Sequence, residues 1–332
     1  MTPVVSLRVV RNDEGAVSEP HSEFASDMLA ALVNHPRGIS PKYFYDAEGS
    51  ALFDQICELP EYYPTRTELA ILEGNAASIA TQIGPRAEIV EFGAGSLLKV
   101  RLLLDAADAP ARYVPIDISG EHMTQAATLL RRDYPGLQVE PVVADYTQPL
   151  TLPPALGGTG EAGGRRIGFF PGSTIGNFTS DEALRFLRTA ARTLRGGALL
   201  LGADLVKNPA RLHAAYNDSR GVTAAFNLNL LARANRELAA DFDLSQFAHS
   251  AFYNAPQRRI EMHLLSLKRQ RVTVLGRHFE LEEGETIHTE NSHKFTIDSL
   301  RALARSAGFT PGPVWTDPEN LFSLHWLEAP RT

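Results

Sequence analysis

Four short segments hold the residues best suited to ligand chemistry, and each follows an apolar run of strand character. The first is Glu91-Phe92-Gly93-Ala94-Gly95. Glycines at a strand end let the backbone approach a ligand closely, although a plain tight turn uses them too. The second is Asp117, whose carboxylate can accept from both hydroxyls of a ribose, or cap the helix that follows beside Ser119. The third is Asp145-Tyr146, a carboxylate able to take an adenine amino group with an aromatic ring beside it. The fourth is Gly172-Ser173-Thr174-Ile175-Gly176-Asn177-Phe178, where polar groups between glycines suit a substrate contact, or a loop with a helix cap. In open parallel sheets ligands bind beyond the carboxyl ends of the strands, which is where all four fall.

Several chemistries are disfavoured. A dinucleotide fingerprint needs a third glycine, but Leu98 stands there, so NAD and a dehydrogenase fit poorly. Gly158 to Gly163 matches G-x-G-x-x-G literally but precedes a strand in a Pro/Gly-rich stretch, so it reads as a flexible loop. Ser173 directly follows Gly172, which removes the hydrolase nucleophile elbow. The single cysteine, Cys57, excludes an internal disulfide and any multi-cysteine zinc site. Of the ten histidines, His288 and His293 stand five apart without a visible third ligand, and no metal is expected.

The elements that must position these residues follow from periodicity. Apolar runs at Ile89–Phe92, Tyr113–Ile116, Val139–Val143, Ile167–Phe170 and Ala198–Leu201 read as buried strands, with helices such as Met123–Arg132 and Asp181–Leu194 between them. Thr65 with Glu68 and Thr179 with Glu182 have capping-box spacing, the first opening a helix expected to reach Ile83. Strands alternating with helices imply a doubly wound, mostly parallel α/β sheet. Before it, Phe24, Met28, Leu29 and Leu32 have helical spacing. After Leu205, helices over 210–239 lead into Arg259–Leu267, Arg271–Leu275 and His278–Leu281, read as adjacent strands. A helix over 297–307 and a final strand pair complete the chain. The N-terminal helices and the segment after Leu205 are expected to form a second, α+β unit.

With 332 residues, 44 % apolar and 21 % charged, the chain can bury a large core in one or two domains. The net charge of −7 and the lack of a basic run disfavour nucleic acid. No apolar run reaches the ~18 residues of a membrane span, and Met1 to Val10 makes a poor signal peptide. A cytoplasmic monomer acting on a small molecule is the expectation.

Longer stretches resemble the histidine Nα-methyltransferases of ergothioneine biosynthesis. They include Tyr43-Phe44-Tyr45-Asp46-Ala47-Glu48-Gly49-Ser50, Leu52 to Ile56, Leu59-Pro60-Glu61-Tyr62-Tyr63-Pro64-Thr65-Arg66-Thr67-Glu68 and Gly172 to Asn177. Asp204 to Lys207, Gly221 to Asn227, Arg259-Ile260-Glu261-Met262 and Thr289-Glu290-Asn291-Ser292-His293-Lys294-Phe295 follow in the same order. The resemblance runs from about residue 40 to the end. It implies a Rossmann-like class I methyltransferase core over 67–206 plus 296–332, and a substrate-binding domain over 1–66 plus 207–295. S-adenosylmethionine is the implied methyl donor, held by Gly93, Lys99, Asp117, Asp145 and Tyr146, and L-histidine the implied substrate. Tyr62, Asn177, Tyr216, Met262, Glu290 and Ser292 are the implied substrate contacts, and Tyr45, Tyr62 and Asn177 the catalytic residues. Tyr62, Asn177 and Tyr216 would anchor the amino and carboxylate groups, while Glu290 and Ser292 would read the imidazole. The run Ala94, Ser96, Leu97, Leu98 departs from the hydroxyl residues that members often carry before the lysine, which touches the grip on the methionine end of the donor.

Chemistry agrees with the implied roles. Glu290 can accept from an imidazole N–H and Ser292 can donate or accept at the other nitrogen; both project to one face of an extended segment. The plainer readings are a surface pair of Glu290 with Lys294, a solvated Lys99, and tyrosines that only pack. A tryptophan-like substrate is the runner-up, disfavoured because an indole offers one donor. A non-catalytic binder of S-adenosylmethionine or histidine is the rival of another class.

Overall fold

The computed structural model describes residues 8–9, 22–95, 97–118, 120–156 and 164–331. The glycine stretch at 158–163, Ser96, Ser119 and most of the N-terminal segment considered as a signal peptide lie outside them. The strands are β1 (Arg8–Val9), β2 (Arg37–Gly38), β3 (Glu88–Phe92), β4 (Arg112–Asp117), β5 (Gln138–Val139), β6 (Val142–Val143), β7 (Arg166–Phe170) and β8 (Ala198–Asp204). They continue as β9 (Phe247–Asn254), β10 (Arg259–Ser266), β11 (Gln270–Val274), β12 (Arg277–Leu281), β13 (Thr286–His293), β14 (Thr310–Thr316) and β15 (Phe322–Glu328). The α-helices are α1 (Glu23–Val33), α2 (Ala47–Glu58), α3 (Tyr63–Gly74), α4 (Ala76–Ile83), α5 (Leu97–Ala106), α6 (Gly120–Asp133), α7 (Ser180–Thr193), α8 (Pro209–Tyr216), α9 (Val222–Glu237) and α10 (Ile297–Ser306).

The chain divides into two compact units. The first comprises the N-terminal strand, Pro64–Leu205 and the chain from Phe295 onward. Its nine-stranded sheet runs β1-β6-β4-β3-β7-β8-β15-β14, with β5 also on β4. All pairs are parallel except those of β15 with β8 and β14 with β15. Successive side chains of a strand face opposite sides. Ile89 therefore joins a core with Leu72, Ile79, Val100, Leu103 and Leu130 from α3 to α6. Val90 and Phe92 join another with Phe186, Leu187, Leu300 and Ala304 from α7 and α10. Helices thus cover both faces, as the alternating pattern requires, and the order of strands reverses at β3.

Two readings of this unit need correction. Val139–Val143 is two short strands, because Pro141 between them has no N–H to give the ladder. Thr65 and Glu68 form no capping box: the helix opens at Tyr63, with Pro64 in the first turn where its missing N–H costs little, so Thr65 lies inside it. It stops at Gly74, and Asn75 returns its side chain to the Ile71 carbonyl at 2.9 Å before α4 begins. The Thr179–Glu182 capping box does form.

The second unit comprises Glu14–Tyr63 and Val206–Lys294. Its main sheet runs β2-β13-β10-β9. The strands β10, β11 and β12 are not mutual neighbours: β11 and β12 form their own hairpin, and β10 pairs with β9 and β13. Strand β9 escapes periodicity because only Phe247 and Ala251 of its eight residues are buried. Helix α9 is fixed to this sheet by Asn227, which donates to the His263 carbonyl at 3.0 Å and accepts from Thr289 at 2.8 Å.

Candidate active site

In the first unit, three adjacent parallel strands deliver the expected donor residues to one edge. After β3, the N–H groups of Gly93 and Ala94 both donate to the Ile116 carbonyl, at 2.9 and 3.0 Å, which folds the glycine turn against the end of β4. Asp117 closes β4, and its carbonyl accepts from Ala144 N–H at 3.0 Å, which ties in the loop of Asp145 and Tyr146. Gly93 has φ +76°, and a Cβ there would lie 3.4 Å from the Tyr146 ring, so glycine serves both backbone and close approach. Asp145 Oδ1 accepts from Thr147 N–H at 2.8 Å, fixing that carboxylate in its turn. The Tyr146 ring packs edge-on against Phe170 at 5.6 Å. This set of a strand-end carboxylate, a second carboxylate, an aromatic ring and a glycine backbone fits a nucleoside: acceptors for hydroxyl and amino groups, and a flat apolar neighbour for a base.

Lys99 is placed by a partner that sequence spacing hid. Its ammonium lies 2.6 Å from the fully buried Glu68 carboxylate. Glu68 also accepts the Gly172 N–H, at 3.0 and 2.9 Å to its two oxygens. The residue read as a helix cap therefore joins α3, α5 and the turn after β7. In that turn Gly172 has φ +76° and Ser173 is left-handed at φ +57°, with Ser173 Oγ accepting from Asp204 N–H at 2.9 Å. A non-glycine residue in that region stores strain, a feature that clusters at functional sites. Asn177 ends the 3₁₀ turn Thr174–Asn177 and is half-buried. Next to the glycine turn, Glu91 is buried and accepts from the Tyr113 hydroxyl; burial pushes its carboxyl up to about 8.

The second unit gathers the other expected residues. The register sets Met262 opposite Glu290 and Ile260 opposite Ser292, so Met262, Glu290 and Ser292 share one face. Tyr216, the last residue of α8, donates to Ser292 Oγ at 2.7 Å. Lys294, two residues further along the same face, is 3 % exposed and donates to Ser292 Oγ at 2.8 Å and Tyr216 OH at 3.1 Å. Glu290 and Lys294 are therefore not a surface pair. The Glu290 carboxylate makes no hydrogen bond among the described residues, and burial pushes it up to about 7 against the pull of Lys294. Tyr62 lies beside Tyr216 with ring centroids 6.4 Å apart, and Tyr45 contacts Phe53 and Phe226 edge-on at 5.6 and 5.8 Å. Burial holds the Tyr62 phenol well above its usual range, so it acts as a neutral hydroxyl.

On the opposite face of this sheet Glu261, His263 and His288 offer ligand atoms within 4.8 Å of one another, a grouping the spacing of the histidines did not reveal. Glu261 Oε1 is already held by Arg259 and Asn254, each at 2.8 Å, and the two imidazole ring centroids are 4.8 Å apart with their planes tilted by 36°.

Comparison with known proteins agrees with this geometry. The family described as "Histidine-specific methyltransferase, SAM-dependent" matches residues 24–329. The chain belongs to that family. Among relatives of this SAM-dependent methyltransferase is the histidine N-alpha-methyltransferase of Mycolicibacterium smegmatis, 44 % identical over 90 % of this chain and 92 % of that protein. The protein of the same name from Mycobacterium tuberculosis is 43 % identical over 92 % and 94 %. Ergothioneine biosynthesis protein 1 of Neurospora crassa is 29 % identical over 89 % of this chain but only 34 % of its own length. Two residues of this methyltransferase were given other roles from sequence, Glu68 as half of a capping box and Lys294 as a surface partner of Glu290. Only for Lys294 was a signal present, in the alternation 290, 292, 294 along one strand face.

Proposed function

We propose that this protein transfers three methyl groups in succession from S-adenosylmethionine to the α-amino nitrogen of L-histidine. The product is Nα,Nα,Nα-trimethylhistidine (hercynine), a step of ergothioneine biosynthesis. The observation that carries the reading is the pairing of Glu290, a buried carboxylate without a hydrogen-bond partner among the described residues, with the Ser292 hydroxyl on one strand face. An imidazole satisfies both at once; an indole, phenyl or aliphatic side chain leaves at least one unpaired. Family membership and the names of the mycobacterial and Neurospora relatives support the same substrate and pathway.

The donor supplies an activated methyl group on a sulfonium, so no metal is needed to create a leaving group. Asp117, Asp145, Tyr146, Gly93 and Lys99 are assigned to hold it. In each round the amine gives up a proton to water, its lone pair forms the N–C bond, and the C–S electron pair stays on sulfur. Tyr62, Asn177 and Tyr216 are assigned to orient the amino and carboxylate groups. Such positioning turns an encounter into an effectively unimolecular step, the largest contribution available here. The third transfer leaves a permanent cation on nitrogen. The faces of Tyr45 and Tyr62 would favour it by about 0.5–2 kcal/mol. Burial keeps the Tyr62 phenol a neutral ring and orienting hydroxyl, and neither tyrosine is assigned as an ionised base.

The test is mass spectrometry of histidine incubated with the protein and S-adenosylmethionine. Products heavier by one, two and three methyl groups are expected, with phenylalanine and leucine unchanged. Unmodified histidine with an intact donor, or equal modification of phenylalanine, would overturn the reading.

A further inference from the structure

We infer that Asn227, a buried residue outside the assigned substrate contacts, is the positioning residue that sets Tyr216 and Glu290 relative to each other, acting through His249 on one side and Thr289 on the other. The inference rests on the histidine reading, in which both Tyr216 and Glu290 contact the substrate, and extends it to the residues that hold them.

Glu290 faces the pocket because β13 carries an extra residue. Met262 pairs with Glu290 and the next residue, His263, pairs with His288, which leaves Thr289 without a partner in the ladder. Residues two apart in a strand normally share a face. Here the bulge separates them: His288 lies with His263 on one face, and Glu290 with Met262 on the other. Thr289 is 1 % exposed, and its hydroxyl lies 2.8 Å from Asn227 Oδ1 and 3.1 Å from the Met262 carbonyl. The fully buried Asn227 amide therefore holds the bulge that decides where Glu290 points.

The directions of these bonds follow from backbone carbonyls, which only accept. Asn227 Nδ2 donates to the His263 carbonyl at 3.0 Å, so the amide nitrogen lies on that side and the amide oxygen faces Thr289. The same nitrogen is 3.0 Å from His249 Nδ1. His249 Nε2 is 2.9 Å from the Tyr216 carbonyl, so Nε2 carries a proton. A neutral ring protonated on Nε2 leaves Nδ1 bare to accept from Asn227, and both ends of the ring require the same tautomer. Burial lowers the pKa of this imidazole, in keeping with a neutral ring; Asp218 is the charged group that faces it and acts in the opposite sense. Tyr216 ends α8, and the last carbonyls of a helix have no partner within it. His249 thus anchors the helix at the residue assigned to the substrate. One amide holds the strand of Glu290 through Thr289 and the helix end of Tyr216 through His249.

Asn227→Asp tests this, because a carboxylate keeps the shape and the acceptor but cannot donate. Ring ¹⁵N NMR of the labelled protein at neutral pH should show His249 protonated on Nε2 alone in the wild type, and on both nitrogens in Asn227→Asp. The histidine KM should rise roughly tenfold or more in that variant, the effect of buried groups left unpaired, with a smaller change in kcat and unchanged S-adenosylmethionine affinity. Thr289→Val, which removes one hydroxyl and serves where the Asp variant fails to fold, should raise KM in the same way, whereas Thr289→Ser, which keeps the hydroxyl, should not. Residues that only stabilise the fold would lower Tm when replaced and leave KM as it was. A wild-type KM in either folded variant, Asn227→Asp or Thr289→Val, or a wild-type His249 protonated on Nδ1, would overturn the inference. A wild-type protein that does not methylate histidine would instead overturn the histidine reading on which the inference rests.

Discussion

Two buried glutamates, one in each unit, have opposite surroundings. Glu68 in the first unit is fully buried and fully occupied, by the Lys99 ammonium at 2.6 Å and the Gly172 N–H at 2.9 and 3.0 Å. Glu290 in the second unit is nearly as buried, yet makes no hydrogen bond among the described residues and holds its proton up to about pH 7. A buried charge left unpaired is costly, so it persists where something outside the fold completes it. Glu68 thus belongs to the scaffold that shapes the turn after β7, whereas the role proposed for Glu290 is to take a donor from a ligand. If that contrast is correct, removing each carboxylate should fail in a different measurement.

The largest effect is expected at Glu290. A site built to hydrogen-bond a substrate group rejects analogues lacking it by roughly 10⁴–10⁵. The wild type should prefer histidine over phenylalanine by about that ratio of kcat/KM, and Glu290→Ala should collapse it with little loss of folding stability. An unchanged ratio would show that Glu290 does not read the imidazole. At Glu68 the expectation reverses. Breaking a buried ion pair from one side costs about 3–5 kcal/mol, so Glu68→Ala should lower the denaturation free energy by that amount. A loss below about 1 kcal/mol would remove the contrast.

A smaller change sharpens the assignment of the donor edge. Asp117→Ala should weaken S-adenosylmethionine binding by about 1.5–3 kcal/mol, the scale of a hydrogen bond to a charged group. Histidine-side discrimination should persist. Calorimetry showing undiminished donor affinity in a folded variant would remove Asp117 from the donor contacts.

The smallest effect is in pH. Glu290 is raised from its ordinary 4.5 to about 7. A raised carboxyl favours the ligand-free fold fully below the unfolded value, and that contribution is lost as pH rises through the folded one. The ionised carboxylate accepts an imidazole N–H more strongly than the protonated acid, so histidine affinity should fall as pH drops through about 7. Conversely, the histidine-induced rise in Tm should be larger at pH 8 than at pH 6. Equal Tm shifts at both values would mean that Glu290 does not titrate on binding.

Much of this was legible in the chain because it is local. Each buried strand of the first unit is a short apolar run, and the ligand-facing turns begin where it meets glycine or aspartate, as at Phe92-Gly93 and Ile116-Asp117. The alternation of Glu290, Ser292 and Lys294 was equally visible. What it could not convey was burial, so a surface pair of Glu290 with Lys294 stayed open as the plainer reading. The role of Glu68 was hidden because its partners lie 31 and 104 positions away, at Lys99 and Gly172, while the nearby Thr65 supplied a plausible local use. Strand β9, with buried side chains only at Phe247 and Ala251, lacks the clean period that marks a half-buried strand. The grouping of Glu261, His263 and His288 depends on the register of β10 with β13, including its irregularity between Met262 and His263.

The most direct test is an experimental structure of the protein with histidine and S-adenosylhomocysteine. The account predicts one imidazole nitrogen within about 3 Å of a Glu290 carboxylate oxygen and the other within about 3 Å of Ser292 Oγ, the ordinary hydrogen-bond range. Tyr216 and Lys294 should still be hydrogen-bonded to Ser292. A histidine whose ring lies elsewhere, with the Glu290 carboxylate left without a partner or facing water, would contradict it.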